Sequence, residues 1–434
     1  MNFKGKNITV FGLARSGIAA ARKLVSLGAK VFVSEIKPEP EIDHELIKEL
    51  EELKIDIETG GHGPRTIETA ELIVVSPGIH LDIPVLERAK QKGIPIISEV
   101  ELAYQLLSKP IIAVTGTNGK TTTATLIGEL LKAGGKKVAV AGNIGAPLVE
   151  VNDSDLDYIV AEISSYQLES IAEFKPRISV ILNIQPDHLE RHGSMAGYIA
   201  QKARVFMNQG RDDHVIYNMD DQAVVKMVKK AKAKLEGFSK DKTDILSLSP
   251  SEIKIPGRHN LENCLAAAQA AYLCGVPQPV VADVLRNFPG VEHRIEFVAS
   301  INGVEFYNDS KATNPDATLV ALETFEGRGV VLILGGRDKG TTLDALCEKI
   351  KAGVKEVVLV GEAASRFKQA LQKTGYQKIR EAGSLAEAAR LALGSAAKGD
   401  VALLSPACAS FDMFGDFEER GRVFKQAVKE LNHA

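Results

Sequence analysis

The sequence predicts an α/β protein built from parallel sheets and divided into three domains. Two observations carry this. Its 434 residues exceed what one hydrophobic core usually serves. Short β-rich apolar runs, each followed by a glycine-containing turn and an alanine- and leucine-rich helical stretch, recur along the chain. With 45% hydrophobic and 25% charged residues, the composition is that of an ordered globular protein.

Asn7–Gly12 reads as a strand ending in a glycine turn, and Gly17–Leu24 as the helix after it. A second strand, Lys30–Ser34, ends at Glu35, and Leu72–Ser76 and Pro95–Ile97 supply two more, so residues 1–98 form a nucleotide-fold domain. Between them, Glu39–Glu58 carries many acids with Leu and Ile at helical spacing, which is the pattern of a solvated helix face. The lysines of Lys226–Lys234 read the same way. The motif style changes after Phe288-Pro289-Gly290, placing a central domain at 99–290 and a third at 291–434.

A formal net charge of -3 gives no reason to expect nucleic acid or an anionic membrane as partner. No apolar run approaches the ~18 residues of a membrane helix, and the start of the chain moves within a few residues into a strand. Cys264, Cys274, Cys347 and Cys408 lie far apart without C-x-x-C spacing, so neither a disulfide framework nor a zinc site is expected and a reducing cytoplasm fits.

The turn Gly12-Leu13-Ala14-Arg15-Ser16-Gly17 has the outline of a dinucleotide fingerprint, but Ala14 replaces the middle glycine. A methyl group there obstructs the approach of backbone to pyrophosphate, which counts against a nicotinamide or flavin cofactor. A structural strand-to-helix turn explains the segment as well as a phosphate contact does. The strongest local signal follows the strand Ile111–Val114: Thr115-Gly116-Thr117-Asn118-Gly119-Lys120-Thr121-Thr122, leading into a helix. Its glycines let successive N–H groups face phosphate oxygens, Lys120 reaches the β- and γ-phosphates, and the Thr121 hydroxyl suits magnesium. Val114 stands where the usual pattern has its first glycine.

Gly116–Thr122 resembles the variant phosphate loop of the Mur ligase and folylpolyglutamate synthetase superfamily, and the resemblance extends over nearly the whole chain. It implies a phosphate-loop central ATPase domain between two Rossmann-like domains. Gly142-Asn143-Ile144-Gly145 and Glu162–Glu169 resemble the next two central motifs, which makes Glu162 a magnesium ligand and Asn143, Ser164 and Gln167 substrate-site residues. In Asp187-His188 the resemblance makes His188 a ligand of a second magnesium, although imidazole alone favours softer metals. It makes Lys202 the lysine that reacts with carbon dioxide to give a metal-binding carbamate; an ordinary helical lysine is the competing reading. Gly257–Asn263 is similar to the adenine-binding motif through Asn260 and Asn263, with helix capping by Asn260 as the alternative. Arg294 and Asp309 are the implied ATP contacts of the third domain.

Asn308-Asp309-Ser310-Lys311-Ala312-Thr313-Asn314 resembles the version found in the family member that adds D-glutamate, with Lys311 and Thr313 on the amino acid's carboxylate. Leu334–Gly340 and Leu404–Phe414 support the same choice, and Lys339, Ser410 and Phe417 are the further D-glutamate-site residues implied. Arg15, Ser16, Glu35, Lys37 and Gly78 are then candidates for the UDP part of the substrate.

The resemblance implies an ATP-dependent ligase, with two magnesium ions, that joins D-glutamate to UDP-N-acetylmuramoyl-L-alanine through an acyl phosphate. It further implies a cytoplasmic monomer whose third domain closes over the central one. Three rivals remain: a ligase of the same superfamily for another amino acid, a phosphate-loop regulator or kinase, and an NAD-dependent oxidoreductase.

Overall fold

The computed structural model describes residues 2–338 and 340–431. The chain forms two compact units: one runs through residue 252 and takes up 261–285, and the other takes 253–260 and continues from 286.

The first unit holds two parallel sheets. In the N-terminal one, β1 (Asn7–Phe11), β2 (Lys30–Ser34), β3 (Asp56–Glu58), β4 (Leu72–Val75) and β5 (Ile96–Ser98) take the order β3-β2-β1-β4-β5. Strand order reverses between β1 and β4, where a doubly wound sheet opens its ligand crevice. The turns after these strands meet there, and the Ser76 hydroxyl donates to the Gly12 carbonyl at 3.1 Å.

The central sheet comprises β6 (Ile111–Thr115), β7 (Val138–Gly142), β8 (Tyr158–Glu162), β9 (Ile178–Ile181), β10 (His214–Asn218) and β11 (Lys234–Phe238), ordered β11-β10-β9-β6-β8-β7 and all parallel. Register pairs Val114 with Glu162, Thr115 with Ile181 and Gly142 with Glu162. Four strands therefore end level, and whatever follows them is gathered at one edge.

One apolar core runs through both sheets, joining Val10, Leu24 and Val33 to Ala113, Ile159 and Phe174 by way of Val100 and Leu102. Those last two sit on the helix Glu99–Leu106, which also buries Glu99 and Glu101. Glu101 accepts the backbone N–H groups of Ala172 (2.8 Å), Glu173 (3.0 Å) and Phe174 (2.9 Å), which offset its desolvation.

In the second unit, β12 (Glu296–Ile301), β13 (Val304–Asn308), β14 (Val330–Gly335), β15 (Val354–Val360), β16 (Ile379–Ala382) and β17 (Val401–Leu404) take the order β12-β13-β17-β14-β15-β16. Five strands are parallel; β12 pairs antiparallel with β13 through a hairpin whose Asn302 and Gly303 both have positive φ, as a two-residue turn of that hand needs. Leu332 and Leu334 enter one core, Val331 and Ile333 the other, so both faces of the sheet are covered.

Two stretches depart from the periodic reading. The acidic helix runs only His44–Glu52, after which Asp56–Glu58 becomes the edge strand. The lysine-rich helix ends at Val228, and Lys234 already begins β11. Among the described residues all four cysteines are free and buried, and no helix is long and apolar enough to cross a membrane.

Candidate active site

The loop after β6 carries Gly116 and Gly119 at φ 152° and 84° and runs directly into the helix Lys120–Ala133. Gly119 is needed twice over, since its φ lies in the left-handed region and a Cβ there would collide with Asn263 Oδ1. The loop is held from outside. Asn118 N–H donates to Asn183 Oδ1 at 2.8 Å, its side-chain amide to Gln185 Oε1 at 2.9 Å, and the Thr117 hydroxyl lies 3.1 Å from the Tyr198 hydroxyl. Lys120 Nζ donates to the carbonyls of Gly116 (3.0 Å) and Thr117 (2.7 Å). Thr122 is buried in the helix, and the Thr123 hydroxyl donates to Asn263 Oδ1 at 3.2 Å.

Glu162, at the end of β8, receives the Thr121 hydroxyl on Oε2 (2.8 Å) and the Asn143 amide on Oε1 (2.7 Å). Lys202 is 2% exposed; its Nζ donates to the Gly116 carbonyl at 2.8 Å and lies 4.7 Å from the centre of the Tyr198 ring. Burial, then the nearby Lys120, pushes its ammonium well below the ordinary lysine range, against the pull of Asp187 and Glu162. Lys120, Thr121, Asn143, Glu162, Lys202 and Asn263 thus converge on one loop. Ser164 and Gln167 do not project into it: they cap each other across the helix Ser165–Leu168, with the Gln167 N–H donating to Ser164 Oγ (3.3 Å) and the Ser164 N–H to Gln167 Oε1 (2.9 Å).

His188 caps the short helix Leu189–His192 in a left-handed conformation, φ 52°, with its ring 4.8 Å from that of Tyr166 and its Nε2 3.4 Å from Asp187. Among the described residues no three His, Cys, Asp or Glu side chains cluster as a metal site. The donors that do converge, the Thr121 hydroxyl and the Glu162 carboxylate, are hard oxygens and fit magnesium, which is usually held by one or two carboxylates plus phosphate oxygens.

In the N-terminal domain the glycine turn closes on Glu35, whose Oε2 accepts the Leu13 N–H at 2.6 Å and Oε1 the Lys37 N–H at 3.0 Å. Glu35 is buried and shapes this turn. A Cβ on Gly17 would collide with the Gly12 carbonyl, whereas Ala14 is exposed. Arg15, Lys37 and Gly78 are exposed and Ser16 is half-buried, so these four are open to a ligand.

In the second unit, Asp309 is buried, its oxygens taking the Ser405 hydroxyl (2.7 Å) and the Ile295 N–H (3.2 Å). Burial pushes its carboxyl up to about 7, opposed by Ser405 and by Arg294. Arg294, half-buried, lies near His259, whose imidazole burial lowers to about 4. The Asn260 amide donates to the Pro256 carbonyl at 2.6 Å. Lys311 Nζ lies 5.7 Å from the centre of the Phe417 ring, Thr313 is half-buried beside it in sequence, and Ser410 is buried at the start of the turn leading to Phe414. Lys339 lies outside the described residues.

Family models match in three consecutive stretches: "Mur ligase MurD-like, N-terminal domain" over residues 6–98, "Mur ligase middle domain" over 114–271 and "Mur ligase, glutamate ligase domain" over 293–408. A protein of Thermoanaerobacter sp. (strain X514) named "UDP-N-acetylmuramoylalanine--D-glutamate ligase" is 46% identical, covering 99% of this chain and 100% of the relative. The chain belongs to the Mur ligase family. A relative of the same name from Caldanaerobacter subterraneus subsp. tengcongensis is 45% identical, with 99% and 100% covered. Among solved structures, the MurF ligase of Thermotoga maritima in complex with ADP shares the fold, with a TM-score of 0.58 at 16% identity over 92% of this chain and 95% of that one. As a Mur ligase, the protein is an ATP-dependent enzyme that forms an amide bond.

In this Mur ligase, two residues that hold candidate loops, one in each unit, escaped the sequence reading. Tyr198 sits one helical turn before Lys202 and contacts both that lysine and Thr117, which i, i+4 spacing from a buried lysine would have flagged. Arg420, 2% exposed, ties the Ser310 hydroxyl (2.9 Å), the Ser310 carbonyl (2.8 Å) and the Ala409 carbonyl (3.1 Å), and so holds the loops bearing Lys311 and Ser410 together. Its only sequence signal is a lone arginine on the apolar face of the helix Phe417–Leu431.

Proposed function

We propose that this enzyme joins D-glutamate to UDP-N-acetylmuramoyl-L-alanine at the expense of ATP, with domains at 1–98, 99–290 and 291–434 for the UDP substrate, ATP and the amino acid. The observation that carries the reading is the full-length likeness to D-glutamate ligases, combined with convergence of Lys120, Thr121, Glu162 and Lys202 on one phosphate loop.

A carboxylate has no leaving group that an amine can displace at neutral pH. In the proposed reaction an oxygen of the L-alanyl carboxylate attacks the γ-phosphorus of ATP, the bond to the β-γ bridging oxygen breaks and ADP departs. The first N–H groups of the helix Lys120–Ala133 and the Lys120 ammonium face the charge that collects on the transferring phosphoryl group. Thr121, Glu162, His188 and a carbamylated Lys202 would hold magnesium, which would supply further neutralisation of that charge. Asn260, Asn263, Arg294 and Asp309 orient the nucleotide; Lys311, Thr313, Lys339, Ser410 and Phe417 orient D-glutamate. Its neutral amine then attacks the acyl phosphate, phosphate leaves as the tetrahedral intermediate collapses, and the amine's proton passes to a base.

The environment of Lys202 supports the carbamate. Burial favours the neutral amine of Lys202 over the ammonium, and only the neutral amine attacks carbon dioxide; an N–C bond forms, a proton is lost, and the side chain becomes an anion. The proposed product is a cell-wall precursor, and we propose that the enzyme acts in the cytoplasm as a monomer.

The test is phosphate release by purified protein with ATP, magnesium and UDP-N-acetylmuramoyl-L-alanine, comparing D-glutamate with L-glutamate, L-alanine and no amino acid. Release that requires D-glutamate, with a product one glutamyl residue heavier, is expected. Release with another amino acid moves the specificity, and release without any amino acid sinks the ligase reading.

A further inference from the structure

The turn after β4 and the His188 segment belong to different sheets of the first unit, yet one side chain bridges them. Arg191 Nη2 donates to the Ile79 carbonyl and to Glu169 Oε2, both at 2.6 Å, and its Nε donates to Glu169 Oε1 at 3.0 Å. The pair is nearly buried, with side chains 8% and 10% exposed. Ile79 N–H in turn donates to the Ser76 carbonyl at 3.0 Å, and Ser76 holds Gly12. On the other side, Glu169 Oε1 is 3.5 Å from His192 Nδ1, while His192 Nε2 lies 3.0 Å from Ser165 Oγ. The Arg191 guanidinium lies over the Tyr166 ring, which also packs on His188.

We propose that Arg191 and Glu169 are positioning residues that couple occupancy of the UDP-substrate turn, Ser76–Ile79, to the placement of His188. This rests on the proposed function above, in which the first domain takes the UDP substrate and Gly78 of that turn is a candidate contact. An ion pair that served stability alone is replaceable by apolar side chains of the same volume. Here the third donor of the fork is spent on a backbone carbonyl of the substrate turn, which an apolar pair cannot reproduce. Lysine cannot either, because its ammonium is a point charge and not a planar fork. A shift of Ile79 on ligand binding pulls directly on the helix turn that His188 caps.

The test uses the full-length protein and UDP-N-acetylmuramoyl-L-alanine without ATP or magnesium. In the wild type, hydrogen exchange is expected to slow both at 76–79 and at 188–193 on substrate binding. In Arg191→Lys and Glu169→Gln the slowing at 76–79 persists while that at 188–193 is lost, and the KM for the UDP substrate rises about tenfold, the scale of one charge-assisted hydrogen bond. Guanidinium ions restore activity to Arg191→Ala, since a cavity of about 280 Å³ borders the pair and gives access. Slowing at 188–193 that survives in both variants, or that is absent from the wild type although substrate binds, overturns the coupling. Failure of the wild type to protect 76–79 at all sinks the assignment of the turn itself. Thermal melting of each variant separates these results from misfolding; if one variant does not fold, the other decides.

Discussion

Glu99 gives the sharpest test of the packing between the first two sheets. It is 1% exposed, its Oε1 accepts the Val149 N–H at 2.7 Å, and its Oε2 has no hydrogen-bond partner among the described residues. Burial pushes its carboxyl from 4.5 up to about 7, against the Val149 N–H, which favours the ionised form. Below about pH 4.5 the group is protonated in both folded and unfolded chains and costs nothing. Between about pH 4.5 and 7 the unfolded chain releases the proton and the folded chain keeps it, so stability falls as pH rises. Above about pH 7 both are ionised and the penalty is full. A shift of about 2.5 pH units corresponds to roughly 3 kcal/mol. Glu99→Gln keeps an oxygen for the Val149 N–H and carries no charge at any pH. Its stability relative to wild type should therefore climb by roughly 3 kcal/mol between about pH 5 and about pH 8. Urea unfolding followed by far-ultraviolet circular dichroism, run at several pH values, measures it. A difference that stays flat with pH, or that favours the variant most in acid, refutes the reasoning.

Other perturbations test the site and its frame. Glu101→Gln removes the charge that strengthens the hydrogen bonds from the Ala172, Glu173 and Phe174 N–H groups, and should cost about 1–3 kcal/mol in the same urea experiment. Gly119→Ala forces a left-handed alanine, at about 1–2 kcal/mol, and drives a methyl into Asn263; the KM for ATP should rise at least about tenfold while calorimetric binding of the UDP substrate is unchanged. Wild type in 13C-labelled bicarbonate should show a carbamate carbon resonance that Lys202→Arg lacks, with kcat of the variant down by about 100-fold. A wild type without the resonance refutes carbamylation, whatever the variant's activity.

What the sequence made legible was whatever is local to a strand end. Parallel sheets place functional groups at the carboxyl ends of their strands, so Gly116–Thr122 after β6, Asn143 after β7 and Glu162 closing β8 announce themselves as short motifs, and register alone brings them together. The helix Leu189–His192 and the left-handed bend at His188 are different: the motif supplies the histidine, but its direction depends on Tyr166, Glu169 and Ile79, which are distant in sequence. Glu99 and Glu101 look like solvated acids on a short helix until the N–H groups of Val149 and of 172–174 are seen to converge on them. Glu35 shows the same limit from the other side. Its place at the end of β2 is where a doubly wound fold offers an acid to a ribose, yet its carboxylate is taken up by the Leu13 and Lys37 N–H groups. Position in a fold names the residue that can act; the hydrogen bonds it already makes decide whether it is free to. On that ground Arg15 and Lys37, exposed beside the turn that Glu35 shapes, are the residues whose replacement should weaken UDP-substrate binding, whereas Glu35→Gln should act by loosening the turn and lowering stability.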